Sequence, residues 1–385
     1  FAAGLATFTL LYSTQALLPD LRRDFDVSTG ASTLSVSLAM FGIGAGLLIA
    51  GPLSDVVGRT RLIHLSLGAS VVIGFASALA PTWEALLALR FADGFALAGL
   101  PAVATAYLRE ELHPSSQGRA AGLYVGGTAF GGMSGRLVSG FGAELGGGWR
   151  WGIAATVLVG LACAVLVRLA LPASRGFEPA PGNPRALAAM TRRALSDPAL
   201  LALYAIGGCS LGAMVALFNT IGFRLADPPF ALGIGAASLV FLVYPLGTVS
   251  STWFGDLADR HGRRTVIPIG AAVAIVGALL TLPDVLPLVV VGMGLLVVGF
   301  FAVHGIASGW VPLRAHLGGT SAGQAASLYL FTYYLGSAVF GTASGAAWTR
   351  AGWPGSVALS VVLMLLVMVL AVLLRRTPSL VPGMR

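Results

Sequence analysis

Gly51-Pro-Leu-Ser-Asp55-Val-Val-Gly58-Arg59-Thr-Arg61-Leu62 follows one long apolar run and leads into another. The frame Gly-x-Leu-x-Asp-x-x-Gly-Arg returns at Gly255-Asp-Leu-Ala-Asp259-Arg-His-Gly262-Arg263-Arg264-Thr-Val266. Gly255 stands 204 residues after Gly51, a little over half of the 385-residue chain, so the chain reads as a duplicated unit. Gly51 and Gly255, lacking side chains, let a neighbouring helix approach closely. Asp55 and Asp259 offer a negative charge to a nearby helix N-terminus. Gly58 and Gly262 permit a tight reversal, and Arg59 and Arg263 hold the turn on the cytoplasmic side.

Working outward, the composition is that of a membrane protein. Hydrophobic residues make up 56%, charged residues 10%, and mean hydropathy is +0.87, against about 25% charge in a soluble domain. The net charge of +8 is carried by arginine, for there is no lysine. In this setting it reads as a topology signal, not a nucleic-acid footprint. A bilayer crossing needs about 20 apolar residues. Twelve runs qualify, at 1–19, 33–53, 62–80, 84–107, 119–141, 150–171, 198–222, 232–254, 265–282, 286–311, 322–345 and 355–374. Twelve crossings put both termini on one side, and most arginines fall on that side, so both termini are expected in the cytoplasm. The chain opens on Phe1 without a cleavable-signal pattern, and its first run reads as already trimmed. Residues 1–171 form an N-terminal six-helix bundle, 172–197 a cytoplasmic linker and 198–385 a C-terminal bundle with a short tail. The proline-rich linker carries a short surface helix at Arg185–Leu195.

At the repeated turn the chain resembles the major facilitator superfamily, whose signature loop joins spans two and three and recurs between eight and nine. The resemblance implies an all-α fold of twelve transmembrane helices in two pseudo-symmetric bundles that rock about a central site. It also implies that the Asp55 and Asp259 loops latch the cytoplasmic rim in the outward-facing state. A second repeat aligns Gly118–Tyr124 with Gly323–Tyr329 and sets Gly341 where Arg136 stands. Span five, with Gly122, Gly131, Gly135, Arg136, Ser139 and Gly140, resembles the antiporter motif of drug-export branches. Arg136 replaces that motif's proline and Ser139 one of its glycines; glycines at this spacing also suit simple close packing.

Charge in lipid marks the chemistry, because an ionisable residue deep in a span costs about 2.5–3.5 kcal/mol on insertion scales. Arg90 and Asp93 in span four lie three apart on one helical face and can pair. The arginine and Gly94 resemble the family's span-four motif, whose arginine is implicated in proton coupling. Asp93 departs from that pattern. It reads either as the proton-titrating carboxylate tuned by Arg90 or as half of a permanent ion pair. Arg136 either snorkels to the far interface or faces the central cavity, where it would attract anions or share Asp93. Candidate cavity residues are Tyr12, Gln15, Tyr124, Arg136, Met214, Phe218, Asn219, Tyr244, His304, Tyr329 and Tyr333. His304, alone in an apolar span, reads first as a hydrogen-bonded packing residue. Trp83, Trp149, Trp151, Trp348 and Trp353 read as interfacial anchors, and Cys163 and Cys209 as inert core thiols.

The first run's Tyr-Ser-Thr-Gln-Ala-Leu-Leu-Pro, with Asp24-Phe25 after it, resembles the start of bacterial efflux permeases. The expected function is therefore proton-coupled export of a small amphiphilic molecule across the inner membrane, by a monomer in contact with lipid, protons and substrate. Sugar efflux, uptake of an organic anion, and a non-transporting sensor or lipid-handling protein on the same fold are the alternatives. Without lysine no nucleotide-binding P-loop exists. No nucleophile–base pair, metal cluster or cofactor motif suggests an enzyme.

Overall fold

The computed structural model describes residues 1–174 and 184–377, and among them the chain is helical without strands. The first passage is interrupted. α1 (Ala2–Leu11) stops, Tyr12–Thr14 turn, Gln15–Leu17 tighten into a 3-10 turn, and α2 (Leu18–Asp24) continues. Pro19 accounts for the tightening, because its ring excludes an α-helical bond to the Gln15 carbonyl. There follow α3 (Thr29–Ser32) with α4 (Leu34–Val57), α5 (Arg59–Ala78), α6 (Trp83–Leu97) with α7 (Gly99–Glu111), α8 (Pro114–Gly146) and α9 (Trp149–Ala170). The expected linker helix is α10 (Pro184–Ser196); Arg175, Pro179 and Pro181 lie outside the described residues.

The second half repeats the plan. α11 (Pro198–Ala226) is followed by α12 (Ile234–Ser238), a 3-10 stretch at Leu239–Val243 and α13 (Leu246–His261). Pro245 plays the part there that Pro19 plays in the first passage. α14 (Arg263–Leu280), α15 (Leu286–Leu317) and α16 (Ala322–Leu373) complete it, with α16 split into two helices at Ala351 and Gly352. Nine helices among the described residues are long and apolar enough to cross a bilayer. The expected dozen would further need α1 with α2, α8, and the two parts of α16 to count as separate passages.

Both signature turns reverse on their second glycine, Gly58 at φ +97° and Gly262 at φ +85°, a region closed to most side chains. The helices pack as two bundles. α1 lies on α8 in the first as α11 lies on α16 in the second. The bundles meet along α4 with α16 and along α8 with α12. Their tightest contacts are at the end remote from the signature loops. There a Cβ added at Gly345 would meet the Gly30 Cα at 2.5 Å, and the Gly235 amide donates to Glu144 Oε2 at 2.5 Å. At the loop end, a Cβ at Gly51 or Gly255 would meet nothing within 4 Å. The close approach expected of those glycines is not made in this structure.

Two of the expected interfacial tryptophans are instead buried. The Trp149 indole donates to Asp24 Oδ2 at 2.6 Å, and that of Trp353 to the Thr281 carbonyl at 3.0 Å. A buried indole N–H needs an acceptor, and both found one inside their own bundle. The Trp149 bond, with Arg150 beside it, holds the Asp24 carboxyl below its ordinary range. Trp151, 63% exposed, fits the anchor reading.

Glycine sets how closely α4 approaches α6. A Cβ at Gly94 would lie 2.0 Å from the Ala39 carbonyl oxygen, and one at Gly42 would lie 2.3 Å from that of Phe91. Backbone cannot yield as a side chain can. Gly94→Ala should therefore lower unfolding stability in detergent by about 1–3 kcal/mol. Gly51→Ala, with open space around it, should stay within about 0.5 kcal/mol of the parent.

Candidate functional site

The break in α1 frees carbonyls at the end of a helix inside an apolar bundle. Arg90, on α6, satisfies them. Its Nη2 donates to the Leu11 carbonyl at 2.6 Å and its Nη1 reaches that of Leu10 at 3.5 Å. Its Nε donates to the Ser35 carbonyl of α4 at 3.2 Å. The same side chain pairs with Asp93, Nη1 to Oδ2 at 2.5 Å, and both residues are 1% exposed. Asp93 is thus inside the N-terminal bundle, away from lipid. Its buried Oδ1 makes no such ion pair, and the buried Ser70 hydroxyl of α5 is the side chain that faces the carboxylate beside Arg90. One carboxylate oxygen is held by charge, and the other has no second charge to hold it.

Immediately after those carbonyls comes Tyr12, whose ring lies 3.7 Å from the Arg136 guanidinium carbon. Arg136 does not snorkel. It is fully buried about 15 Å, or ten residues at the helical rise, inside the far end of α8. Its Nε donates to Gln15 Oε1, Nη1 to the Gly132 carbonyl and Nη2 to Tyr244 Oη at 2.7 Å. Tyr244 and Phe241, at the break between α12 and α13, and Phe218 of α11 place their rings within 4.3, 5.3 and 5.8 Å of it. Arg136 shares no contact with Asp93, which pairs with Arg90.

Gln15 carries the network across the molecule by donating to Asn219 Oδ1 at 2.5 Å. These residues are 204 apart, the repeat offset, so they are symmetry mates. Two such positions can touch only where the pseudo-twofold axis passes between them. The axis therefore runs beside Gln15, with Arg136 one hydrogen bond away. Asn219 in turn donates to the Gly341 carbonyl at 3.4 Å, the position that mirrors Arg136.

A second group lies on the C-terminal bundle nearer the loop end. The His304 ring stacks on Phe300 at 5.7 Å and lies 4.5 Å from Tyr333, and its Nδ1 is 3.0 Å from Tyr329 Oη. Contacts from Phe300 to Phe301 and from Phe301 to Tyr244 join this group to the first. Tyr124 and Met214 join neither. Tyr124 packs its backbone against Gly4 in the first bundle, and Met214 is core. Phe241, Phe300, Phe301 and the α1 carbonyls were not singled out in the sequence. Pro245, four residues after Phe241, was the available signal for the first of them.

The span-five glycines divide by neighbour. Cβ atoms at Gly131 and Gly135 would each meet an α1 carbonyl oxygen at 2.5 Å, Leu5 and Thr9, while Gly140 faces Ser238 of the other bundle. Gly127, also against α1, extends the four-residue spacing, whereas Gly122 meets nothing. At the loop end Asp55 pairs with Arg59 at 2.6 Å rather than with a helix N-terminus. Arg59 also bonds Ser54 and reaches Glu110 at 3.1 Å, all within one bundle. Asp259 is exposed and Arg263 half-buried, while Arg264 donates to the Arg375 and Thr377 carbonyls of the tail.

Comparison with known proteins agrees with this architecture. A family model described as Major Facilitator Superfamily matches residues 1–253. The chain is 38% identical to YybF, an uncharacterized MFS-type transporter of Bacillus subtilis (strain 168), over 98% of its own length and 92% of the relative's. It is also 38% identical to the inner membrane transport protein YnfM of Escherichia coli (strain K12), covering 95% and 88% of the two. Among solved structures it superposes on a bacterial homolog of the human lysosomal transporter Spinster, crystallised inward-facing and unoccupied. The TM-score is 0.77 at 16% identity, covering 97% and 95% of the chains. Those relatives and the apolar helices make this a multi-pass inner-membrane transporter. With the signature turn present twice, two bundles built on one plan and these relatives along nearly its whole length, the chain belongs to the major facilitator superfamily.

Proposed function

We propose that the protein couples proton entry to export of a small amphiphilic molecule by alternating access, acting as a monomer. The observation that carries this reading is Asp93. An acid completely enclosed in a membrane-embedded bundle, with one oxygen on an arginine and only a serine hydroxyl otherwise beside it, is a site for a proton. Protonating it would loosen its hold on Arg90, which also secures the carbonyls at the α1 break. Tyr12 and Gln15, just past that break, contact Arg136 and the opposite bundle. A change of charge at Asp93 would thus reach the central site through span one. Following the excess of arginines at the loop end, that end is cytoplasmic. The state described, with close contacts between bundles at the far end and open space around Gly51 and Gly255, then reads as inward-facing. The Asp55 and Asp259 loops would engage the opposite bundle only after rocking.

Asp93→Asn should retain ligand binding and abolish pH-gradient-driven movement in proteoliposomes; undiminished driven transport would remove Asp93 from the coupling. Arg90→Gln strands a buried carboxylate and should cost about 3–5 kcal/mol in unfolding experiments. Combining it with Asp93→Asn should recover most of that loss, whereas equal instability of single and double variants would mean the pair is not its source. Asp55→Asn should deplete the outward-facing state in double-label distance measurements, and unchanged populations would refute the latch.

A further inference from the structure

We infer that the cargo is a small organic monoanion with an aromatic ring, its carboxylate received by Arg136 and its ring by the His304–Tyr333 group. This names a cargo for the transport reading above but does not depend on Asp93 as proton carrier.

The two buried arginines differ in one respect. Arg90 has a carboxylate, and Arg136 has none among the described residues. Each acceptor around Arg136 is neutral: an amide oxygen, a backbone carbonyl and a phenol. A guanidinium carries five N–H donors and cannot escape its charge by losing a proton. Three donors are taken here and the Tyr12 hydroxyl is a further neutral partner, which leaves at least one for a ligand. The faces of Tyr12 and Tyr244 offset part of the charge, but an uncompensated cation in a low-dielectric interior remains costly. If the side chain served only to tie α8 to Gln15 and Tyr244, a neutral glutamine would do so without that penalty. The charge is explained by an anion that visits.

Three further observations narrow the cargo. The Gln15–Asn219 contact between repeat mates puts Arg136 beside the pseudo-symmetry axis, where a substrate must pass. The helices on either side, at Tyr12–Thr14 and at Leu239–Val243, are interrupted there, as irregular backbone in a membrane is where it lines a cavity. The mirror position holds Gly341, so one cation, and hence one anionic group, is provided for. On the loop-end side the stacked rings of Phe300, His304, Tyr329 and Tyr333, with His304 and Tyr333 only half-buried, offer a face for a planar apolar body.

The test uses the purified full chain in detergent without a pH gradient and three probes sharing one ring: 2-naphthoate, 2-naphthalenemethanol and 2-naphthylmethylammonium. Equilibrium dialysis should find the carboxylate bound about 10- to 100-fold more tightly than the alcohol, the range expected of charge-assisted hydrogen bonds, and the ammonium weakest. Arg136→Gln should erase the preference of carboxylate over alcohol. Tyr333→Leu should weaken both of those probes while preserving their ratio, which keeps the proposal open to refutation should Arg136→Gln fail to fold. Equal binding of carboxylate and alcohol by the parent, an undiminished preference in Arg136→Gln, or a ratio altered by Tyr333→Leu would each overturn it. Asp93→Asn should keep the naphthoate preference, so the anion site and the proton reading fail in separate experiments.

Discussion

A helix that ends inside a membrane protein leaves carbonyls with no water to donate to them, and the centre of this molecule depends on how α1 meets that constraint. Arg90 reaches from α6 to the carbonyls of Leu10 and Leu11 and to that of Ser35. A cation placed there must itself be balanced, and Asp93 balances it from the next turn of the same helix. The break, the arginine and the acid therefore stand or fall together. The break also turns Tyr12 and Gln15 toward the interface, where they meet Arg136 of their own bundle and Gln15 reaches Asn219 of the other. One unsatisfied helix end thus ties the interior of the first bundle to the interface between bundles.

The duplication makes that interface nearly symmetric, and its departures from symmetry carry the chemistry. Gln15 and Asn219 occupy equivalent places and touch across the axis. Beyond them the halves diverge: Arg136 stands in one and Gly341 in the other, whose carbonyl accepts from Asn219. Among the described residues the fully buried charges lie in the first half, while the second supplies Tyr244, Phe301, Phe300, His304 and Tyr333 as a connected wall of rings. A cationic side facing an aromatic one suits a molecule with a charged end and an apolar body.

Glycine decides which contacts can be permanent. Gly42 and Gly94 bring the backbones of α4 and α6 together, and Gly131 and Gly135 do the same for α8 and α1. These are contacts inside a bundle, and they hold the helices bearing Arg90, Asp93 and Arg136 in register. Gly51 and Gly255 have open space around them. Glycine there makes no close contact in this structure.

The sequence alone determined the membrane class, the duplication, the positions of the reversals at Gly58 and Gly262, and the Arg90–Asp93 pair, because each rests on local periodicity or spacing. The tight turns need glycine at φ > 0, and residues three apart on a helix share a face, whatever surrounds them. What only the tertiary structure decided is where each charge points and what meets it. Arg136 could have reached an interface or the centre, and its burial against Gln15 and Tyr244 follows from the packing of α8 on α1 and α12. Trp149 and Trp353 had the spacing of interfacial anchors, yet their indoles are buried on Asp24 and Thr281. An apolar helix in a bilayer can bury any face against protein or lipid. The periodicity that reveals a soluble core is therefore absent, and only the packing of one helix on another assigns the faces.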